Sequence, residues 1–410
     1  MIRSIEVLAR DADVSVLAGP VVGPNFTLKN ALAVQPMEGC DGTADGAPGD
    51  LTYRRYERFA AGGAGLLWAE AISVAPEARA NPRQLMLTEG NVDAYRKLTD
   101  LAHARGAVIV AQLTHSGRFS RPVDRPAPIR ASKNPALDRL QKLSDGDPVA
   151  TDEYLKALPE AFAKSTRLAR AAGFDGVDVK ACHLYLYGEL LGATQRPGPY
   201  GGPYENRTRL LRESVEAAKA ELSGGILASR FNLYDGEAGN WGVGENLSVD
   251  FTEPLRLARE LSQMGVSLMN ITMGTPYLNP HVNRPYNKGG YVAAESPVMG
   301  VKRLLDGCRA AQQAVPEAVC VATGFSYLGE SAPEVAAALL KSGGARVAGF
   351  GRMAFAYPDF ANDILETGKL EKKKCCVTCS LCTKIMRGGG FVGCPVRDEA
   401  YKDELRKVIS

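Results

Sequence analysis

The sequence predicts a closed (β/α)8 barrel, the TIM-barrel architecture, with a short cysteine-rich segment appended. Three observations predict it. Eight short apolar runs of strand length are spread between residues 32 and 350. Helix-period segments follow most of them. Five of the nine cysteines crowd into residues 375–394, after the last of these units. The chain has 410 residues, and barrels of this kind routinely run beyond about 250 residues as one unit.

The strands are expected at 32–35, 65–69, 108–113, 176–179, 226–231, 267–271, 319–323 and 347–350. The helices are expected at 52–61, 92–105, 152–172, 206–222, 251–264, 298–314 and 333–342. Strand runs alternating with helices argue for a parallel sheet. An open doubly wound sheet is the runner-up. That fold normally carries its glycine fingerprint after the first strand, whereas the first run leads into Pro36-Met37-Glu38-Gly39. The opening segment VSVLAGPVVGPNFTLKN reads as a hairpin, over about residues 13–29, that caps the barrel floor. The barrel is expected to fill residues 1–365, and residues 366–410 to form the metal-binding tail.

Composition is that of a water-soluble globular protein, 45% apolar and 23% charged. A formal net charge of +3 gives no argument for nucleic acid or membrane binding. The N-terminal MIRSIEVLARDADV places charges where a signal peptide needs an apolar core, and no run approaches a membrane span. A cytoplasmic protein is expected, with Cys40, Cys182, Cys308 and Cys320 as unpaired thiols.

In the tail, Cys376, Cys379 and Cys382 are spaced two residues apart, and Cys394 follows after eleven more. Such thiolates can converge on one soft metal centre and select iron–sulfur clusters, zinc or Cu(I). Iron–sulfur is the leading reading and structural zinc the alternative. Cys375 is a spare that can exchange roles with Cys376. Gly388–Gly393 satisfies G-x-G-x-x-G but follows no expected strand, so it reads as a loop that folds Cys394 back to the metal.

The reactive face of a barrel is at the C-terminal ends of its strands. The polar residues placed there are Glu38, Gln112, His115, Lys180, His183, Tyr185, Arg230, Asn232, Asn270, Ser326 and Arg352, with His281 further along the sixth loop. Gly324 with Ser326, then Gly351 with Arg352, supply glycine turns, backbone N–H groups and a cation. That combination suits a phosphate held by the last two loops.

The stretches QPMEGCDG, VIVAQLTHSGR, GFDGVDVKACHLYLYGELL, RPGPYGGPYENRTRLL, VATGF and VAGFGRMAFAYPDF, with the cysteine run, together resemble the old yellow enzyme family. Within it the chain is similar to the iron–sulfur branch typified by 2,4-dienoyl-CoA reductase and trimethylamine dehydrogenase. The resemblance implies FMN at the barrel mouth and a [4Fe-4S] cluster on Cys376, Cys379, Cys382 and Cys394. It places Pro36, Met37 and Glu38 along the flavin edge, Gln112 on the flavin pyrimidine and Arg230 near N1 and O2. Gly324, Gly351 and Arg352 take the phosphate. Tyr185 becomes the proton donor, Lys180 and His183 the pair holding the substrate oxygen, and the loop bearing Tyr277 and His281 the wall of the substrate pocket. Two residues depart from the family pattern. Lys180 stands where His is usual, and Glu38 where Thr or Cys is usual. A carboxylate beside the flavin disfavours its anionic reduced form unless it is protonated or paired, Lys180 being the candidate partner.

The expected activity is ene reduction of an enoyl-CoA, enoate or enone. An amine or other dehydrogenase passing electrons out through the cluster is the alternative, and a non-catalytic zinc- or cluster-bearing electron-transfer subunit is the third reading. About sixteen residues follow Cys394, so no further flavin or nicotinamide domain is expected. Electrons would then come from NAD(P)H bound over FMN, or from a ferredoxin or electron-transfer flavoprotein attracted by Lys372-Lys373-Lys374; such a run also reads as a solvated surface segment. A homo-oligomer is a further expectation.

Overall fold

The computed structural model describes residue 9 and residues 12–409. A short antiparallel hairpin, β1 (Val21–Val22) and β2 (Thr27–Leu28), precedes the barrel. The barrel strands are β3 (Leu32–Val34), β4 (Leu66–Ser73), β5 (Val108–Thr114), β6 (Gly176–Val179), β7 (Ile226–Asn232), β8 (Leu268–Thr272), β9 (Val319–Ala322) and β10 (Val347–Phe350). They run parallel in chain order, and β10 closes the ring beside β3, with Ala348 opposite Leu32 and Phe350 opposite Val34. Among the described residues one long outer helix follows each barrel strand: Asp50–Ala61, Val92–His103, Asp152–Ala171, Arg209–Leu222, Thr252–Gln263, Pro297–Ala314, Ala332–Lys341 and Phe360–Thr367. The expected (β/α)8 barrel is therefore present. Its strands read as continuous apolar runs because each is covered on both faces, by helices outside and by side chains from the other strands inside; every residue of β4 and of β7 is buried.

The hairpin closes the barrel floor. Val21 and Leu28 join Leu66, Val110, Ile226, Leu268, Val319 and Val347 in one apolar cluster inside the ring. Between the two strands, the Asn25 side chain donates to the Gly224 and Gly225 carbonyls, both at 3.0 Å, and accepts from Ser267 Oγ at 3.0 Å. The first part of the expected hairpin is instead a 3-10 helix, Val14–Ala18. Asp13 accepts from the Ser15 N–H at 3.0 Å, which starts a helical turn, and Leu17 is buried by it.

A register shift between Trp68 and Ala71 interrupts the pairing of β4 with β5. Glu70 lies within it, fully buried. It accepts from the Gly39 N–H at 2.7 Å and pairs with Arg55 at 2.5 Å, while Arg55 also pairs with Asp41. These bonds pin the 36–41 loop, which carries Pro36, Met37 and Glu38 to the mouth.

The tail folds back over that mouth. The Val392 N–H donates to Gly39 O at 2.7 Å, and Arg54 and Arg58 of the first outer helix both pair with Asp398. The tail carries helices Leu381–Arg387 and Lys402–Ile409, which the sequence reading did not anticipate, and its Ile385, Val392 and Tyr401 join the main apolar core of the barrel. The glycines of the G-x-G-x-x-G look-alike serve that packing: a Cβ on Gly393 would meet the Tyr401 ring at 2.2 Å, and one on Gly388 would meet Val408 at 2.5 Å. Among the described residues no helix is long and apolar enough to cross a membrane.

Candidate active site at the barrel mouth

One cavity at the C-terminal mouth is lined by Pro36, Met37, Glu38, Gln112, Lys180, His183, Tyr185, Arg230, Tyr277 and Arg352. These residues come from six different strand ends, and the sequence had nominated all of them. Asn283, Arg284, Phe355, Cys382, Thr383 and Met386 complete the wall.

Asp178 of β6 organises the floor. Its Oδ2 accepts from Gln112 Nε2 at 2.7 Å and from Trp68 Nε1 at 2.9 Å, and its Oδ1 accepts from the Arg230 N–H at 2.7 Å. Burial pushes its pKa up against the pull of these donors. The Arg230 Nε and Arg352 Nη1 are buried without a partner, although Arg352 Nη2 donates to Pro285 O at 2.7 Å. A buried donor left unmade costs about 1–3 kcal/mol, so both guanidiniums mark positions prepared for an acceptor. Arg284 lines the same cavity as Arg352, and burial together with that like charge pulls its pKa below the usual value. Two crowded guanidiniums call for an anion between or beside them. Ser326 Oγ accepts from the Met353 N–H at 3.0 Å and ties the last two strand-end loops together. Gly324 holds φ at +114°, where a side chain is strained, and a Cβ on Gly351 would press on Met37 Sδ at 3.1 Å. Buried, unpartnered guanidinium donors at Arg230 and Arg352 fit the chemistry of a group that carries acceptor atoms and an anion, as a flavin mononucleotide does.

Above the floor lie the groups that could meet a substrate. The Lys180 ammonium sits 4.0 Å from the Tyr185 ring centroid. Burial lowers its pKa, opposed by Cys182 and Glu38. His183 and Leu184 both take left-handed φ values, +65° and +56°, which turn the chain sharply off the end of β6. Asn283 Nδ2 lies 3.1 Å from His183 Nε2 and 3.1 Å from the Met273 carbonyl. The carbonyl can only accept, so Asn283 presents its NH2 and the imidazole carries its proton on Nδ1. Burial and the neighbouring Arg230, Lys180 and Arg284 hold His183 neutral, well below its ordinary pKa. The Tyr185 and Tyr277 hydroxyls are 3.0 Å apart, and Tyr277 stacks on Phe119 with centroids 3.7 Å apart. Burial, with Tyr277 and Glu38 nearby, pushes Tyr185 well above its usual pKa, so it keeps its proton. Glu38 accepts from Asn81 Nδ2 at 2.7 Å. Burial pushes its carboxyl up to about 7, against the opposing charge of Lys180.

The four cysteines Cys376, Cys379, Cys382 and Cys394 line a second, smaller cavity with Arg352, Phe355 and Arg397. Thr378 and Ser380 take left-handed φ values of +48° and +59° and wind the loop around it. The Thr378 N–H donates to Cys376 Sγ at 3.4 Å. Cys375 points away, its Sγ 3.4 Å from Glu371 O. Arg352, Phe355 and Cys382 line both cavities, so they form the partition between them. Among the described residues no three His, Cys, Asp or Glu side chains gather tightly enough to hold a single metal ion.

Residues 19–371 match the model of the NADH:flavin oxidoreductase / NADH oxidase family. The chain belongs to this family. It is a flavin-dependent oxidoreductase, with FMN and a reduced nicotinamide nucleotide as the cofactors that membership implies. Among its relatives is an NADPH dehydrogenase of Geobacillus sp. (strain WCH70), 31% identical over 265 residues, covering 63% of this chain and 73% of that one. The fold is similar to that of 2-naphthoyl-CoA reductase in complex with 2-naphthoyl-CoA, with TM-score 0.77 and 19% identity over 96% of this chain. The chain spans 58% of that reductase's length. It is also similar to the old yellow enzyme homologue from Zymomonas mobilis, with TM-score 0.66 and 24% identity over 87% of this chain and 94% of that one.

In this flavin oxidoreductase two histidines placed in strand-end loops lie outside the mouth cavity. His281 bonds to the Tyr291 hydroxyl at 2.5 Å and lies 3.9 Å from Glu295. His115 is buried against Tyr154, 2.7 Å from its hydroxyl, and burial lowers it to about 3. The lysine run is already engaged within the chain: Lys372 pairs with Glu330, Lys373 with Glu371, and Lys374 with Glu371 and Asp363. Asn283, Arg284 and Asp178 escaped the sequence reading. A carboxylate inside the apolar run GVDV was the available signal for Asp178.

Proposed function

We propose that this flavin oxidoreductase reduces the C=C bond of an activated alkene (an enoyl-CoA, enoate or enone), with a [4Fe-4S] cluster in the cysteine-lined cavity. The observation that carries the reading is the mouth cavity itself. It brings Lys180, His183 and Tyr185 to one side of a floor whose buried donors are unpartnered at Arg230 and Arg352. Pro36, Met37, Glu38, Gln112, Arg230, Gly324, Gly351 and Arg352 would hold FMN. When bound, FMN supplies a hydride to the β carbon of the alkene.

The side chains do the rest. Lys180 contributes a cation and the neutral His183 a donor to the activating carbonyl oxygen, so developing enolate charge meets groups already in place. Tyr185 donates its proton to the α carbon as general acid. The phenolate left behind is opposed by burial, and the Lys180 ammonium over the ring offsets that cost. Asn283 holds His183 in the Nδ1-protonated tautomer. Tyr277, bonded to Tyr185 and stacked on Phe119, fixes the donor's direction. Glu38 is divided between acid and carboxylate near neutral pH, which lessens its repulsion of an anionic neighbour.

The four cysteines line one hollow together, and soft thiolates gathered around one hollow suit an iron–sulfur cluster. A bound cluster would supply single electrons across the partition of Arg352, Phe355 and Cys382. The barrel over residues 1–365 and the cluster segment over 366–410 are thus one redox unit in this reading. Anaerobic purification with an absorption spectrum and with iron and acid-labile sulfide assays tests the cofactors. Anaerobic turnover of an enone, an enoate and an enoyl-CoA with NADPH tests the reaction. A protein that carries flavin but reduces none of the three refutes the ene-reductase reading.

A further inference from the structure

Beside the mouth cavity lies another of about 350 Å³, and Glu38, Pro276, Tyr277, Thr383 and Met386 line both. A ligand seated at the mouth therefore has room to extend into it. Three guanidiniums from three separate segments face this space: Arg83 after β4, Arg121 after β5, and Arg387 at the end of the tail helix. Their side chains bond to backbone carbonyls. Arg83 donates to Cys40 O at 3.0 Å and to Gly389 O, Arg121 to Asp124 O at 3.3 Å, and Arg387 to Pro276 O at 3.1 Å.

We infer that this side cavity is an anion subsite, in which Arg83, Arg121 and Arg387 hold a phosphate or carboxylate carried by the ligand that reaches the flavin. The inference rests on the flavin-dependent reading above and adds the class of ligand. Among the described residues none of the three arginines forms an ion pair, whereas exposed arginines elsewhere, such as Arg167 and Arg256, each pair with two carboxylates. Arg83 is also fixed, with its guanidinium 4.5 Å from the Phe391 ring centroid. A planar fork held in place by its other bonds binds carboxylate or phosphate at low entropic cost. Two acids line the same space. Glu38 is turned to Asn81, and Asp124 offers Arg121 its backbone carbonyl. The balance at the subsite is positive. Arg387 gives the tail a role in ligand selection, because it comes from the helix that begins beside Cys382.

The anion has two sources, the phosphates of the nicotinamide nucleotide or an anionic group on the unsaturated substrate. The test is steady-state kinetics of the flavin-loaded enzyme and of Arg83→Gln, Arg121→Gln, Arg387→Gln and the double variant Arg121→Gln/Arg387→Gln. The donors are NADPH and NADH; the acceptors are a neutral cyclic enone, an enoate and an enoyl-CoA. Each lost charge-assisted bond is expected to raise the KM of the anionic ligand about tenfold relative to its less charged counterpart. A changed NADPH/NADH ratio assigns the subsite to the nucleotide, and a changed enoate/enone or enoyl-CoA/enone ratio assigns it to the substrate. Lys302→Gln, on an outer helix, should leave every ratio where it was. Arg121 and Arg387 are exposed, so their variants should fold, and flavin content per chain checks this. Unchanged ratios in the double variant and in Arg83→Gln would overturn the subsite. An enzyme that reduces no alkene while its NADPH/NADH ratio still responds to the variants would instead overturn the ene-reductase reading alone.

Discussion

Glu38 makes the account quantitative. Its carboxyl is raised from 4.5 to about 7, chiefly by burial. Between these values the folded protein binds a proton that the unfolded chain has released, so stability falls as pH rises through this window. Its contribution is fully present below about pH 4.5 and lost above about pH 7. At about 1.4 kcal/mol per pKa unit the loss is about 3 kcal/mol. With about 2.1 cal/mol/K of unfolding entropy per residue, over 410 residues, that corresponds to about 3–4 °C in Tm. Glu38→Gln keeps an acceptor for Asn81 and removes the titration. Its Tm relative to the parent should therefore rise by about 3 °C between pH 5 and pH 8, where most of that loss falls, measured on flavin-free protein by differential scanning calorimetry. A difference between the two proteins that stays flat across this range would refute the argument that a buried carboxyl at the mouth is held against ionisation.

Other outcomes follow from the same geometry. Tyr185→Phe should lower alkene reduction by about 10²–10³-fold and leave reduction of the flavin by NADPH intact, as read by stopped-flow absorbance; equal losses in both half-reactions would remove Tyr185 as proton donor. Asp178→Asn keeps one acceptor oxygen but turns an NH2 against at least one of the three donors that Asp178 now accepts from. It should cost about 3 kcal/mol of stability and weaken FMN retention, measured by flavin content after gel filtration. Cys376→Ser should lose iron and acid-labile sulfide, whereas Cys375→Ser, whose sulfur lies outside the cysteine-lined cavity, should retain both; the reverse pattern would exchange their roles.

The barrel was legible because a strand covered on both faces leaves an unbroken apolar run, and the strand ends then point to the reactive face. That reasoning reached Gln112, Lys180, His183, Tyr185 and Arg230, each within a few residues of a strand terminus. It missed Asn283 and Arg284, which reach the mouth from a long loop without periodicity. His281 was nominated from that loop, yet in the short helix Pro280–Asn283 it is Asn283 that meets His183. The tail showed its cysteines but not how it docks, because Arg54, Arg58 and Asp398 lie about 340 residues apart in sequence. The start of the expected hairpin became a 3-10 turn through one local bond, from the Ser15 N–H to Asp13. Lys180 was expected as a partner for Glu38. Its ammonium lies over the Tyr185 ring and Asn81 donates to the carboxylate, while the Lys180 charge still opposes the upward shift of Glu38.

The central claim is that the mouth cavity transfers hydride and proton to one alkene. Anaerobic single turnover measures it directly: flavin-loaded enzyme, reduced and freed of excess reductant, is mixed with an α,β-unsaturated carbonyl compound. The account predicts that flavin absorbance returns as one saturated product forms per two electrons released. Flavin that stays reduced in the presence of enone, enoate and enoyl-CoA alike would contradict it.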